Sequence, residues 1–286
     1  MDETPPQTLI RDPWSALRRH TSARIALGRA GPALPTQAVL DFGLAHARAR
    51  DAVHQALDLD TLEAALRADG YAPLRAHSAA PDRITYLTRP DLGRRLDPAS
   101  VQALRGTAGP CDIALALADG LSAIAVQRHA APLLAALRSI APQRWSAIPI
   151  VLALQGRVAL GDAIGEALGA RLVVVMIGER PGLSSPDSLG LYLTWAPRTG
   201  LSDAERNCIS NVRPQGLAYA DAARKLDWLA GAALARGLTG VGLKEESDVL
   251  PGPGASAAAL PASLNAGPAT ENAINEQQSG NKAGPD

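Results

Sequence analysis

Three strand-length runs constrain this chain more than any other feature: DIALALA at 112–118, IPIVLAL at 148–154 and LVVVMI at 172–177. A strand that is apolar along its whole length needs cover on both faces, which a parallel sheet with helices above and below supplies. Helical segments alternate with the runs. One is predicted over about 121–139 after Asp119-Gly120, and another over 160–168, after Gln155-Gly156 and stopped by Gly169. Residues 189–196 are a fourth strand candidate, and a closing helix over 218–236 stops at Gly237. Strand–helix alternation of this kind predicts an α/β protein with a Rossmann-like, doubly wound, mostly parallel sheet. The composition agrees: 47% of residues are hydrophobic, yet there are only one Phe, four Trp and four Tyr. Such a core is built from Ala, Leu, Val and Ile.

Before the sheet, the chain is predicted to be mainly helical. Thr36 is a candidate N-cap for an amphipathic helix ending near Leu57, with Phe42, Ala45, Ala49, Val53 and Ala56 on one stripe. Asp60 or Thr61 caps a shorter helix over 62–68, stopped by Gly70. From Glu245 onward Ala, Gly, Pro, Ser and Asn dominate without a period, the signature of a disordered tail. The predicted organisation is a flexible N-terminus (1–13), a helical N-terminal extension (14–105), a Rossmann-like domain (106–244) and the tail (245–286).

Lys+Arg and Asp+Glu are equal at 28 each, so the formal net charge is zero. That gives no basic face for nucleic acid and no polybasic handle for an anionic membrane. No apolar run approaches the ~20 residues of a membrane helix. The two cysteines, Cys111 and Cys208, make no disulfide scaffold, and a reduced cytoplasmic setting is expected.

In open α/β sheets ligands bind at the carboxyl ends of the strands. Three such ends are visible: 119–122, 155–158 and the long loop 178–185. Glu179 sits in the last, either as half of a solvated charge pair with Arg180 or as an acceptor for a polar ligand. Cys208 lies in the polar segment 205–211, expected to cap or cross the strand ends, as a packed thiol or a ligand contact. His46, Arg50 and His54 form one helical row, read as a solvated or interface row and not a metal pair. Walker A, nucleophile-elbow, CxxC, HExxH and dinucleotide glycine motifs are absent from the sequence.

Several longer motifs resemble one family, in order: TSARIALGRAG (21–31), HARARDAVH (46–54), YLTRPDLGRRL (86–96), GERPGLSSPDSLG (178–190) and ERNCISN (205–211). They are similar to the small (light) subunit of ethanolamine ammonia-lyase, over about residues 14–244. The resemblance implies an adenosylcobalamin-dependent lyase converting ethanolamine to acetaldehyde and ammonia by a radical mechanism, initiated by homolysis of the cobalt–carbon bond. It implies a TIM-barrel large subunit that carries most of the catalytic residues, in a hetero-oligomer with cobalamin between the subunits. Three cofactor contacts carry over to this chain: Val158, Glu179 and Cys208. No catalytic residue or metal ligand is implied here; none of the five histidines lies in an Asp-x-His-x-x-Gly motif. The expected cytoplasmic setting includes the interior of a bacterial microcompartment. A non-catalytic Rossmann-like interaction module that no longer binds cofactor is the alternative.

Overall fold

The computed structural model describes residues 9–107 and 109–247. Most of the segment expected to be a tail, and the first eight residues, lie outside the described residues. The elements run α1 (Thr36–His54), α2 (Leu59–Ala68), β1 (Leu74–His77), α3 (Arg83–Thr88), α4 (Pro98–Thr107), β2 (Cys111–Ala118), α5 (Ala123–Ile140), α6 (Pro142–Trp145), β3 (Ile150–Leu154), α7 (Leu160–Leu168), β4 (Ala170–Gly178), β5 (Leu189–Trp195), β6 (Arg206–Val212) and α8 (Tyr219–Arg236).

The six strands form one sheet in the order β1-β3-β2-β4-β5-β6. The pairings among β1 to β4 are parallel, whereas β5 runs antiparallel to both β4 and β6. The sheet is thus mixed α/β: a parallel part with helices on both faces, extended by an antiparallel edge. The alternation of β2 shows why. Ile113, Leu115 and Leu117 point to the layer of α5 and α8, and Ala114, Ala116 and Ala118 point to α4 and α7. Small side chains on that second face let α7 sit close. A Cβ added at Gly161 would stand 2.1 Å from Val175 Cγ2, so a glycine is required there. Among the described residues no helix is long and apolar enough to cross a membrane.

Several expectations need correction. β1 was not anticipated; it is four residues long and only Ala76 is buried. The polar segment 205–211, expected to cap or cross the strand ends, falls almost wholly in the edge strand β6, Arg206–Val212. The cap of α2 is Asp58, whose carboxylate accepts the Thr61 amide at 3.0 Å and hydroxyl at 2.6 Å. α1 ends at His54, and Ala52 is its one buried residue; Phe42, expected on the packed stripe, is exposed.

Candidate functional site

The carboxyl ends of β2, β3 and β4 meet at one rim, held by Asp119. This buried carboxylate accepts the amides of Gly120, Gln155 and Gly156, each at 2.9 Å, and so ties the turn after β2 to the turn after β3. Burial pushes its pKa up, against the opposing pull of those amides and of Arg83. On the other side, Gly178 passes so close to Ser122 that a Cβ there would lie 2.0 Å from its carbonyl oxygen. Three strand ends are thereby fixed relative to one another.

A pocket of about 350 Å³ opens at this rim, with Val158, Leu121 and Ile177 as its apolar part and Tyr86, Arg157, Glu179, Arg180 and Tyr192 around them. Val158 arrives on the turn before α7, and Glu179 on the first residue past β4. Glu179 accepts the Ser188 hydroxyl, and the Asn211 amide approaches its two oxygens at 3.4 and 3.3 Å. A carboxylate has about four lone-pair sites, so acceptor capacity remains for a ligand. Tyr86 is wholly buried and flanked by two guanidinium groups, those of Arg83 and Arg157 at 4.7 and 4.2 Å from its ring centre. Its hydroxyl donates to Gly156 O at 3.2 Å, and burial pushes its pKa up to about 12.

The structure brings Val158 and Glu179 into one pocket and places Cys208 beside it. Cys208 is exposed on β6, directly opposite Tyr192 on β5. Tyr192 connects the two places. Burial raises its pKa, and the neighbouring Cys208 and Glu179 raise it further, so the phenol stays protonated and able to donate. Cys208 Sγ also lies 3.2 Å from Ser210 Oγ.

The long loop after β4 is clasped along its length. Ser122 Oγ donates to Pro186 O at 2.7 Å, and Arg128 pairs with Asp187 at 3.0 Å. Buried His129 holds Tyr219 through Nδ1 at 2.7 Å and faces Asp187 through Nε2 at 3.5 Å. Burial lowers the His129 pKa, against the attraction of Asp187. Arg157 lies in the strand end 155–158 expected at the rim; Tyr86, Ser188, Tyr192 and Asn211 carry no such mark, because strand ends define the rim but not which residues of an antiparallel neighbour reach it. His46, Arg50 and His54 are exposed on α1, and no group of His, Cys, Asp or Glu suited to a metal occurs among the described residues.

Fold and rim together define an α/β protein with a pocket at the carboxyl edge of a mixed sheet. The family model described as ethanolamine ammonia-lyase light chain (EutC) matches residues 11–244. The ethanolamine ammonia-lyase small subunit of Ralstonia nicotianae is 60% identical over 253 residues, 87% of this chain and 93% of its own length. Those of Xanthomonas campestris pv. campestris (248 residues, 85% and 91%) and Pseudomonas aeruginosa (253 residues, 87% and 93%) are each 56% identical. The chain belongs to the ethanolamine ammonia-lyase light-chain family.

Proposed function

We propose that this chain is the small subunit of an adenosylcobalamin-dependent ethanolamine ammonia-lyase and holds one side of the cofactor, which a TIM-barrel large subunit covers from the other. The reaction is the conversion of ethanolamine to acetaldehyde and ammonia. The observation that carries the reading is that Val158 and Glu179 line one rim pocket while Tyr192 links that pocket to Cys208.

The residues present fit such a group. A corrin offers an apolar ring edge and amide side chains, and the pocket offers Val158, Leu121 and Ile177 beside a carboxylate with spare lone pairs. At about 350 Å³ the pocket takes only part of so large a ligand, consistent with cover shared between two subunits. When bound, adenosylcobalamin supplies the radical initiator through its cobalt–carbon bond. This chain's residues bind and orient. Val158 would give the cofactor an apolar contact, Glu179 would accept amide N–H groups, and neutral Tyr192, between Glu179 and Cys208, would donate a hydrogen bond. Ser188 and the Asn211 amide keep the Glu179 carboxylate pointed into the rim.

Glu179→Gln tests the reading. Hydrogen bonds to a charged group are worth about 1.5–3 kcal/mol, so hydroxocobalamin affinity of the apo two-subunit complex falls about ten- to a hundredfold. The variant subunit still folds. An unchanged dissociation constant removes Glu179 from the site, and ethanolamine turnover by the purified small subunit alone overturns the two-subunit assignment.

A further inference from the structure

Glu179 sits at the neck of its loop. The chain leaves β4 at Glu179 and returns to β5 at Ser188, and the two residues are joined twice. The Glu179 amide donates to Ser188 O at 2.9 Å, and the Ser188 hydroxyl donates to the Glu179 carboxylate. Whatever fixes Ser188 therefore aims Glu179. The residue before it, Asp187, is tied to α5 by two neighbours of unequal kind. Arg128 pairs with it at 3.0 Å, but the arginine side chain is 57% exposed, and an exposed ion pair holds its partner weakly. His129 is 5% exposed, so its own place is set by packing. Tyr219, at the start of α8, holds its Nδ1 at 2.7 Å, while Nε2 stands 3.5 Å from Asp187 Oδ2 and has no hydrogen-bond partner.

The surroundings select one tautomer of this ring. Burial raises the pKa of Tyr219, so its phenol stays protonated and can donate to Nδ1. The ring proton then lies on Nε2 and is directed at the Asp187 carboxylate. The other tautomer would turn a lone pair toward that anion. Burial also lowers the pKa of His129 itself, which keeps the ring neutral; Asp187 on the loop and Arg128 on α5 are the charged groups that act on it.

We propose that His129 is a positioning residue for Glu179: anchored by Tyr219, it holds Asp187, and through Ser188 it keeps the Glu179 carboxylate aimed into the rim pocket before the cofactor arrives. The proposal rests on the cofactor reading above and adds what prepares that contact. The route Tyr219–His129–Asp187–Ser188–Glu179 runs from α8 to the rim. Its gain is preorganisation: a carboxylate already fixed loses less freedom when the ligand binds. At 3.5 Å the His129–Asp187 contact is long for a hydrogen bond, so its removal costs less than removal of Glu179.

The test is hydroxocobalamin affinity of the apo two-subunit complex. His129→Asn keeps a polar group near the Nδ1 position and deletes the donor facing Asp187; affinity falls about three- to thirtyfold. His129→Gln carries an N–H donor out to the Nε2 position and restores most of the loss. Asp187→Ala, which alters a loop side chain outside the core, weakens binding as His129→Asn does and carries the same test should the histidine variant fail to fold. In a Glu179→Gln complex neither change costs anything further, because both act through Glu179, whereas a histidine that only stabilises the fold gives the same loss in either background. Wild-type affinity in Asp187→Ala overturns the proposal. So do additive losses in the double variants, or equal losses with Asn and Gln at 129. Wild-type affinity in Glu179→Gln overturns the cofactor contact at Glu179 as well, so the two failures are told apart.

Discussion

The parallel part of the sheet and the N-terminal arm, residues 9–54, are both rich in apolar residues, and they treat them in opposite ways. In β2, from Ile113 to Ala118, every side chain is buried; in α1 one residue of 19 is. Hydrophobicity alone does not separate them. β2 has a hydrogen-bonded strand on each side and a helix layer on each face, so every direction in which a side chain can point ends in this chain's own atoms. α1 has a satisfied backbone and no layer of its own chain over most of its surface. Helices complete their backbone hydrogen bonds locally and can persist with apolar faces unburied. The arm thus leaves its apolar side chains in solvent, while the sheet covers its own.

The contrast is broken hardest at the buried pair of Asp162 on α7 and Arg206 on β6, whose side chains are each 1% exposed. Arg206→Met leaves a carboxylate in the core without its cation, which costs about 3–5 kcal/mol and lowers the melting temperature by roughly 10 °C. A thermal melt decides it; a change under about 2 °C shows that the pair does not hold the antiparallel edge to α7.

The same carboxyl makes stability depend on pH. Burial outweighs the pull of Arg206 and raises the Asp162 pKa from 3.8 to about 6. The folded state therefore binds this proton more tightly than the unfolded chain. Its contribution is complete below about pH 4, is lost as pH rises through about 6, and amounts to about 3 kcal/mol at most. Unfolding free energies measured between pH 4 and 7 show a downward slope in the wild type that Asp162→Asn flattens. Equal slopes in the two proteins exclude Asp162 as its source.

Gly161 sharpens the contrast from the packing side. Val175 is β-branched and stiff, so a methyl at 2.1 Å cannot be relieved by a rotamer change. Gly161→Ala is expected to cost about 1–3 kcal/mol through overpacking, in spite of its better helix propensity. A denaturation midpoint at or above wild type shows that α7 can lift off β4 without penalty.

What could be read in advance follows the same division. The central strands and α7 were legible because cover on both faces leaves unbroken apolar runs, and α7 starts and stops where its sequence predicts. β1 and β6 were not, because each is an edge strand with one neighbour. In β6 only Arg206, Ile209 and Val212 are buried, a spacing of three that belongs to neither ideal period, and its pairing with β5 shifts register between Leu189 and Leu191. The direction of β5 was equally hidden, since antiparallel pairing leaves no mark on its apolar residues. At the rim, Val158 and Glu179 could be placed from strand ends. Tyr192 reaches Glu179 only through the β4–β5 pairing, and Cys208 reaches Tyr192 only through β5–β6.

The smallest effect is the most telling for the comparison. Leu40→Ser in the isolated chain should change the unfolding free energy by no more than about 0.5 kcal/mol, the usual range for a surface site. Leu40 is 61% exposed, so little of its side chain leaves water on folding and little is forfeited when it is shortened. Leu115→Ala, in the middle of β2 and wholly buried, should cost about 2–5 kcal/mol, because it removes the same kind of side chain and leaves a cavity between β2 and the α5 layer. Two leucines in one chain would then differ several-fold for one physical reason, whether their own chain covers them. Urea denaturation of the isolated chain measures both. If Leu40→Ser costs more than about 2 kcal/mol, the arm is packed within the free subunit, and its apolar surface is core.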